Sequence, residues 1–136
     1  HELVQALKAQ DLDPIFLLSP TSTDARIDAI CAAASGFVYY VSLKGVTGAA
    51  TLDVDGVAAK VAEIRQHART PVGVGFGIKD AETAARVATV ADAVVVGSAI
   101  VNRIAENVTQ PEVAREQIAA LLGAMREAMD SAAQAA

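Results

Sequence analysis

The sequence has little of several features that mark common protein classes. It contains one cysteine, Cys31, in 136 residues, so an internal disulfide is excluded and a reducing compartment, the cytoplasm, is the expected location. Its 11 basic residues are outnumbered by 16 acidic ones and form no Lys/Arg block, which argues against a nucleic-acid partner. No apolar run reaches the ~20 residues that a membrane span requires. No apolar signal core follows His1, so a processed secretory protein is a poor explanation.

Hydrophobic residues, in contrast, are abundant. They make up 53% of the chain, with Ala and Val prominent, and a chain of this length can bury a core of its own. We therefore expect a single domain over residues 1–136. The segment His1–Gln10 has the pattern of a late part of an amphipathic helix, with Leu3 and Leu7 but no N-cap before them. The sequence is expected to begin within a helix, as a truncated chain would.

Four short β-type runs alternate with helical patterns. The runs are Ile15–Leu18, Phe37–Val41, Val72–Phe76 and Ala93–Val96, and each is almost wholly apolar, as strands buried between helices are. The spacing between successive runs leaves room for a crossover helix each time. The sequence therefore predicts parallel βα units and an α/β fold.

Caps and apolar faces place the helices. The helical patterns begin near Ser22 or Thr23, Val54, Asp80, Ser98 and Pro111. The first is expected to end at Gly36, because glycine can enter the left-handed conformation. The last carries an apolar stripe that is predicted to pack in the core, namely Ile118, Leu121, Leu122, Met125 and Met129. Its end, Ser131–Ala136, is expected to fray.

Most reactive or charged side chains have a simple structural interpretation. Cys31 falls on the apolar face of the first predicted helix and is interpreted as core packing, because no base neighbours it. Lys60, Arg65 and His67 fall on the outer side of the next helix and are expected to face water. Three acids lie near helix starts, where capping explains them: Asp53, Asp55 and Asp80. No metal site is predicted.

Two glycine turns point to an anion site. Gly75-Phe76-Gly77 follows the third run, and Gly97-Ser98 follows the fourth and opens a short helix, Ser98–Asn107. Glycines let a ligand approach the backbone, and the first amides of a helix have no partner within the helix. In eight-stranded barrels the loops after the last two strands, with a short extra helix, commonly hold phosphate. We therefore predict a phosphate site made by amides, without Lys or Arg.

The second run contains two tyrosines and is followed by a long loop. The segment 42–49 is longer than packing demands and has glycines on both sides of Thr47, as loops that close over ligands often have. Tyr39 and Tyr40 must point to opposite faces of the strand. From the residues alone, the tyrosine that points inward is most simply a packed ring whose hydroxyl is hydrogen-bonded.

These motifs together resemble the tryptophan synthase alpha subunit family. The resemblance rests on Gly45-Val46-Thr47-Gly48, Gly75-Phe76-Gly77-Ile78 and Gly97-Ser98-Ala99-Ile100-Val101, with Pro14-Ile15-Phe16 and the Tyr39 strand, and covers essentially all of the chain. It implies half of a TIM (β/α)8 barrel, the last four βα units. It also implies a part in tryptophan biosynthesis, in a lyase that cleaves indole-3-glycerol phosphate to indole and glyceraldehyde 3-phosphate. The resemblance implies no cofactor in this chain, and pyridoxal phosphate only in a partner beta subunit.

The resemblance also implies roles for individual residues. Tyr39 and Thr47 would support catalysis, Thr47 as part of the loop that closes on substrate. Leu43 falls in the same loop, where some relatives carry Arg. Substrate-binding residues would be Leu17, Tyr39 and Phe76 at the indole region, with a phosphate grip of Gly48, Gly75, Gly77, Gly97 and Ser98.

The catalytic acids are absent from the sequence. The cleavage needs proton delivery and removal, which suits two placed carboxyl groups, and the resemblance places the family's Glu and Asp in an amino-terminal half that this chain lacks. The chain alone is therefore expected to be inactive. It is expected to associate with the missing half or with a second copy. The alternatives are a non-catalytic phosphate-binding half-barrel module, or another phosphate-binding barrel such as indoleglycerol phosphate synthase.

Overall fold

The computed structural model describes residues 2–42, 53–75 and 77–134 and has ten elements in these ranges. They are α1 (Glu2–Lys8), β1 (Phe16–Leu18), α2 (Asp24–Ala33), β2 (Val38–Val41), α3 (Val54–His67), β3 (Val72–Gly75), α4 (Ala81–Ala88), β4 (Ala93–Val95), α5 (Ser98–Glu106) and α6 (Pro111–Gln134). The strands alternate with helices, as predicted. None of the helices in these ranges combines the length and the apolar character needed to cross a membrane.

The strands form one 4-stranded sheet in the order β1-β2-β3-β4, and every pairing is parallel. The predicted α/β architecture is confirmed. β1 and β2 are each one residue shorter than their apolar runs, because the ladder between them begins at Phe16 and Val38 rather than one residue earlier. Val96 lies beyond the end of β4 but still packs against the core, which explains why the apolar pattern outlasts the strand.

The helices cover one face of the sheet. Leu18, Tyr40 and Val74 are paired across neighbouring strands and are all at most 3% exposed. The helices supply the other side of this core through Ile27, Cys31, Val57, Val61, Ile64, Ala84, Val87 and Met125. Burial of these apolar side chains is the main favourable contribution to folding. The structural interpretation of Cys31 is confirmed, and burial, with a smaller effect of the Asp28 charge, raises the pKa of its thiol.

Aspartate side chains begin two of the helices, as predicted. Asp53 accepts a hydrogen bond from the Gly56 amide at 2.9 Å, and Asp80 accepts from the Thr83 amide at 2.8 Å. The Thr83 hydroxyl also donates to Asp80, and these bonds lower the pKa of the Asp80 carboxyl. Since this pKa is lowered on folding, the contribution of Asp80 to stability is present at neutral pH and is lost as the pH falls through the folded-state value.

The start of α2 differs from the expectation. Thr23 is the N-cap residue, but its side chain makes no capping hydrogen bond. The Ser22 hydroxyl instead accepts from the Ser19 amide at 3.1 Å and so closes the turn that precedes the helix. At the other end the helix stops at Ala33, and Gly36 follows with φ 75° in the left-handed region.

Three expectations about outward or inward side chains were wrong. Lys60 is not a solvated residue, because its ammonium donates to the Ser22 carbonyl at 3.2 Å and pairs with Glu63 at 2.6 Å. His67 contacts the Asp28 carboxylate at 2.5 Å, which joins α3 to α2. Leu122 is 39% exposed although it lies on the predicted core stripe. The last helix, α6, extends to Gln134, and the expected fraying of Ser131–Ala136 stays a prediction.

The opposite face of the sheet has no helix packed on it within the described residues. Leu17 on this face is 57% exposed, and its cross-strand neighbours run through Tyr39 and Gly73 to Ala93, which is also exposed. In a closed parallel barrel this face would be the interior, filled by side chains from all strands. The strands of this chain therefore present an interior face that is open to solvent.

Asp92 joins the amino ends of the last two strands. Its backbone amide donates to the Val72 carbonyl at 3.0 Å, and its carboxylate accepts from the Val72 amide at 2.8 Å. The other carboxylate oxygen accepts from Arg65 at the end of α3, also at 2.8 Å. One side chain thus connects β3, β4 and α3.

Replacing Asp92 with alanine should destabilise the fold. The Val72 amide would lose an acceptor beside a fully buried side chain, and an unsatisfied buried amide costs about 1–3 kcal/mol. The half-exposed pair with Arg65 adds little because solvent screens it. We expect the free energy of unfolding to fall by about 1–2 kcal/mol in urea denaturation.

The matched control is Asp130→Ala, which removes an exposed i,i+4 pair with Arg126. Such pairs contribute a few tenths of a kcal/mol. Equal effects of the two substitutions would show that the bond to Val72 contributes nothing.

Candidate functional site

A cavity of about 130 Å³ lies at the carboxyl ends of β2, β3 and β4. It is lined by Tyr39, Gly77, Ile78, Val95, Gly97 and Ser98. Ligand sites in parallel α/β folds occur at this end of the strands. The structure therefore brings together four residues that the sequence singled out, namely Tyr39, Gly77, Gly97 and Ser98.

The amino end of α5 forms one wall of the cavity. The Ile100 and Val101 amides donate to the Gly97 carbonyl at 2.9 Å and 3.1 Å, which closes the first turn. The Ser98 and Ala99 amides precede that turn, and helix geometry gives them no acceptor within the helix. Their partial positive charge, added to the helix dipole, favours an anion at this point.

Glycine is required at Gly77 for a conformational reason. Its φ of 76° lies in the left-handed region, which a residue with a Cβ adopts at a cost. Gly97 has no such constraint, and a Cβ added there would meet no atom within 4 Å. The backbone at Gly97 thus borders open space.

Gly75 provides room for Tyr39. A Cβ built on Gly75 would lie 2.2 Å from the Tyr39 hydroxyl oxygen and 2.6 Å from ring atom Cε2. The ring of Tyr39 therefore lies directly over the Gly75 backbone. This contact places Gly75 behind the ring, and Tyr39 itself faces the cavity.

The two tyrosines take opposite roles. Tyr40 lies in the helix-covered core at 3% exposure, and burial, with smaller effects of Glu63 and Asp53, raises the pKa of its hydroxyl. Tyr39 points to the open face of the sheet and lines the cavity. The buried ring is therefore that of Tyr40, whereas Tyr39 lines the cavity.

Sequence reasoning did not identify Ser42 as part of this region. Its amide and its hydroxyl both donate to the Gly75 carbonyl, at 3.0 Å and 2.9 Å, and the residue is buried. These bonds join the carboxyl ends of β2 and β3 beneath the Tyr39 ring. The available signal was a hydroxyl residue directly after a buried strand, where the ladder ends.

The remaining predicted positions lie elsewhere. Leu17 is on the open face of β1, opposite Tyr39 in the ladder, but does not line the cavity. Leu43, Thr47, Gly48 and Phe76 lie outside the described residues. Their roles stay predictions.

The cavity has the electrostatics of a neutral anion receptor. The described residues that line it include no Lys, Arg, Asp or Glu. Backbone amides and the hydroxyls of Ser98 and Tyr39 are thus its possible donors, and no described lining group is a carboxylate that could transfer a proton. Across residues 2–42, 53–75 and 77–134, no group of three His, Cys, Asp or Glu side chains is placed to hold a metal ion.

The family model of the tryptophan synthase alpha chain matches residues 1–130. The chain belongs to the tryptophan synthase alpha chain family. It is 68% identical over 130 residues to the tryptophan synthase alpha chain of Thioalkalivibrio sulfidiphilus, covering 96% of this chain and 49% of that protein. The corresponding protein of Nitrosococcus oceani is 59% identical over 129 residues, covering 95% of this chain and 48% of the relative.

Solved structures of this family have the same fold. Tryptophan synthase subunit alpha of Legionella pneumophila superposes with a TM-score of 0.80 at 34% identity, over 96% of this chain and 47% of that one. A tryptophan synthase chain of Mycobacterium tuberculosis superposes with a TM-score of 0.75 at 31% identity, over 95% of this chain and 45% of that one. The chain thus spans about half the length of these relatives and corresponds to their carboxy-terminal half. The predicted half of a TIM barrel is confirmed.

Proposed function

We propose that this chain is the phosphate-binding half of an alpha-type tryptophan synthase lyase and that its substrate is indole-3-glycerol phosphate. The observation that carries the proposal is the cavity in which Gly77, Gly97, Ser98 and the first amides of α5 face Tyr39. A phosphate group matches donors that are amides at a helix start. The family membership supplies the reaction class.

The predicted binding residues other than Gly75 have a place in this proposal, whereas Gly75 lies behind the Tyr39 ring and does not line the cavity. The phosphate lies against the amides of Ser98 and Ala99, with Gly77 allowing close approach. Tyr39 lies beside the same cavity, so its ring and hydroxyl face the part of the substrate next to the phosphate. Leu17, on the same face of the sheet, contacts the indole ring together with Phe76. Thr47 and Gly48 belong to the loop that closes over the substrate.

The chemical step needs groups from outside this chain. Cleavage of indole-3-glycerol phosphate requires a proton delivered to the indole ring and one removed from the glycerol hydroxyl, and the described cavity lining contains no carboxyl group for either. We propose that the amino-terminal half of the barrel supplies both. This half-barrel needs no cofactor, and pyridoxal phosphate belongs to the beta subunit that receives the indole in the cytoplasm.

Substitution of Gly97 tests the phosphate site. A valine at this position meets no protein atom at its Cβ, so the fold should be retained while the side chain occupies space at the cavity. We expect the affinity for glycerol phosphate, measured by isothermal titration calorimetry, to fall by about tenfold or more, equivalent to at least about 1.4 kcal/mol.

Gly123→Ala is the matched control. A Cβ at Gly123 also meets nothing within 4 Å, but the residue lies on α6 and does not line the cavity. This variant should bind as the parent chain does. Unchanged affinity in Gly97→Val, with circular dichroism showing an intact fold, would place the phosphate elsewhere.

A further inference from the structure

A buried hydroxyl next to the candidate cavity makes a hydrogen bond that the sheet does not require. Ser42 follows β2 directly and is 7% exposed. Its amide donates to the Gly75 carbonyl at 3.0 Å, which continues the ladder beyond the last pair, Val41 with Gly75. Its hydroxyl donates to the same carbonyl at 2.9 Å. The second bond therefore comes from the side chain alone.

The two bonds fix the direction of the Gly75 carbonyl. A carbonyl oxygen has two lone pairs and accepts hydrogen bonds near the plane of its own group. A single bond at the end of a ladder allows the peptide to tilt, whereas two bonds from one residue restrict it. This peptide is the point at which the chain leaves β3 and continues to Gly77. We call the segment from Gly75 to Gly77 the glycine segment.

The glycine segment is also held at its other end. Ile78 follows it and is 2% exposed, as part of the hydrophobic core. Gly77, between these two ends, has a φ of 76° and lines the cavity. A glycine loses more conformational freedom on ordering than any other residue, and this loss opposes binding unless the backbone is ordered beforehand. Ser42 and Ile78 supply that order from outside the segment.

The Tyr39 ring depends on the same carbonyl. A Cβ built on Gly75 would lie 2.2 Å from the Tyr39 hydroxyl oxygen, so the ring rests on the Gly75 backbone. The bonds from Ser42 hold that backbone in place at the end of β3. Two groups that line the cavity, Gly77 and Tyr39, are therefore positioned through one peptide.

We propose that Ser42 is a positioning residue for the phosphate site: its hydroxyl, through the Gly75 carbonyl, holds the backbone at Gly77 ready for the phosphate of the substrate. This role rests on the proposed function, because it concerns the same site. Ser42 does not line the cavity, so its effect does not require contact with the ligand. The hydroxyl lowers the cost of ordering the site and thereby raises the affinity for phosphate.

A second buried serine provides a matched comparison. Ser22 is 8% exposed, and its hydroxyl accepts a hydrogen bond from the Ser19 amide at 3.1 Å in the turn before α2, away from the cavity. Loss of this hydroxyl removes that acceptor from the Ser19 amide, which lowers stability. Loss of the Ser42 hydroxyl leaves the Gly75 carbonyl with its bond from the Ser42 amide. The two serines are alike in burial, but only Ser42 is connected to the cavity.

Ser42→Ala and Ser22→Ala test the role. The affinity of each chain for glycerol phosphate is measured by isothermal titration calorimetry, and its stability by urea denaturation. We expect Ser42→Ala to raise the dissociation constant by about three- to tenfold, the range that one hydrogen bond contributes. Ser22→Ala should leave the dissociation constant unchanged although it lowers stability.

A second pair of variants separates the hydrogen bond from packing. Ser42→Thr and Ser42→Val introduce side chains of nearly the same shape, of which only the first can donate to Gly75. Any cost of the added methyl group is common to both. The threonine variant should therefore bind glycerol phosphate more tightly than the valine variant, by a factor similar to that between the parent chain and Ser42→Ala.

The outcomes separate this role from the proposed function. Equal affinities in Ser42→Ala and the parent chain, or in the threonine and valine variants, would overturn the role of Ser42. So would a loss of affinity in Ser22→Ala as large as that in Ser42→Ala, because lowered stability would then explain both. A parent chain that does not bind glycerol phosphate would overturn the phosphate site and this role with it. Lost affinity in Gly97→Val beside an unaffected Ser42→Ala would keep the site and remove only the role of Ser42.

Discussion

The isolated chain is expected to release no measurable indole from indole-3-glycerol phosphate, and addition of the amino-terminal half of a family member is expected to restore the reaction. General acid and base groups contribute about 10²–10⁴-fold, and the described residues that line the cavity of this chain include no carboxyl group. Because groups that act together have non-additive effects, loss of both removes at least about two orders of magnitude in rate. The other half would supply both carboxyl groups and the strands beside β1 and β4.

The experiment uses the amino-terminal half of the Thioalkalivibrio sulfidiphilus relative, because its other half is 68% identical to this chain. Indole is measured by absorbance or fluorescence for each half and for their mixture. The control is the mixture with Gly97→Val, which should be impaired if the phosphate site serves the reaction. Substantial turnover by this chain alone would contradict the assignment of the acids to the missing half. A mixture that forms a complex but makes no indole would leave a phosphate-binding module as the better description.

Gly75→Ala is expected to disrupt the carboxyl end of β3. The new Cβ would lie 2.2 Å from the Tyr39 hydroxyl oxygen and 2.7 Å from Cζ, so the whole ring must move. The carbonyl of Gly75 also accepts two hydrogen bonds from Ser42, so the strand is held in place beneath the ring. Overpacking against a fixed backbone costs about 1–3 kcal/mol and more where neighbours cannot move, and we expect about 3 kcal/mol here.

A double substitution shows whether the ring is the cause. Tyr39→Ala removes the side chain that the new Cβ would meet, so Gly75→Ala should cost much less in the Tyr39→Ala background. The coupling energy from the four unfolding curves should exceed about 1 kcal/mol. Gly97→Ala is the control, because a Cβ there meets nothing within 4 Å. Additive effects of the two substitutions would mean that the ring and the strand do not restrict each other.

The arrangement of the strands was predictable because it depends on local patterns. Continuous apolar runs that alternate with amphipathic helical patterns indicate parallel βα units. The register between the strands places Leu18, Tyr40 and Val74 on one face of the sheet, as the alternation of side chains along a strand requires. The same holds for the helix starts at Asp53 and Asp80, whose bonds reach only three residues along the chain. The place of Gly97 and Ser98 at the start of α5 was predictable for a similar reason, since a glycine before a helix start is a local signal.

Contacts between distant segments were not predictable in this way. Lys60 reaches the Ser22 carbonyl and His67 reaches Asp28 across sequence separations of 38 and 39 residues, and a helical wheel shows only that both side chains lie outside the main apolar stripe. Leu122 fits the apolar stripe of α6 yet is 39% exposed, because it lines an apolar cavity between α5 and α6 instead of packing in the core. The position of the Tyr39 ring over Gly75 depends on the register between β2 and β3, which periodicity alone does not fix.

The hydrogen bonds of Asp92 affect which residues of this protein can be substituted without loss of the fold. They fasten β3, β4 and α3 at the amino ends of the strands, whereas the glycine cavity lies at the carboxyl ends. Substitutions of residues that line the cavity therefore do not remove the hydrogen bonds of Asp92. Substitutions of Asp92 and its partners, in turn, do not change the residues that line the cavity. A library that randomises the rim, with Asp92 and its partners held constant, should yield a high fraction of folded members with new ligand preferences.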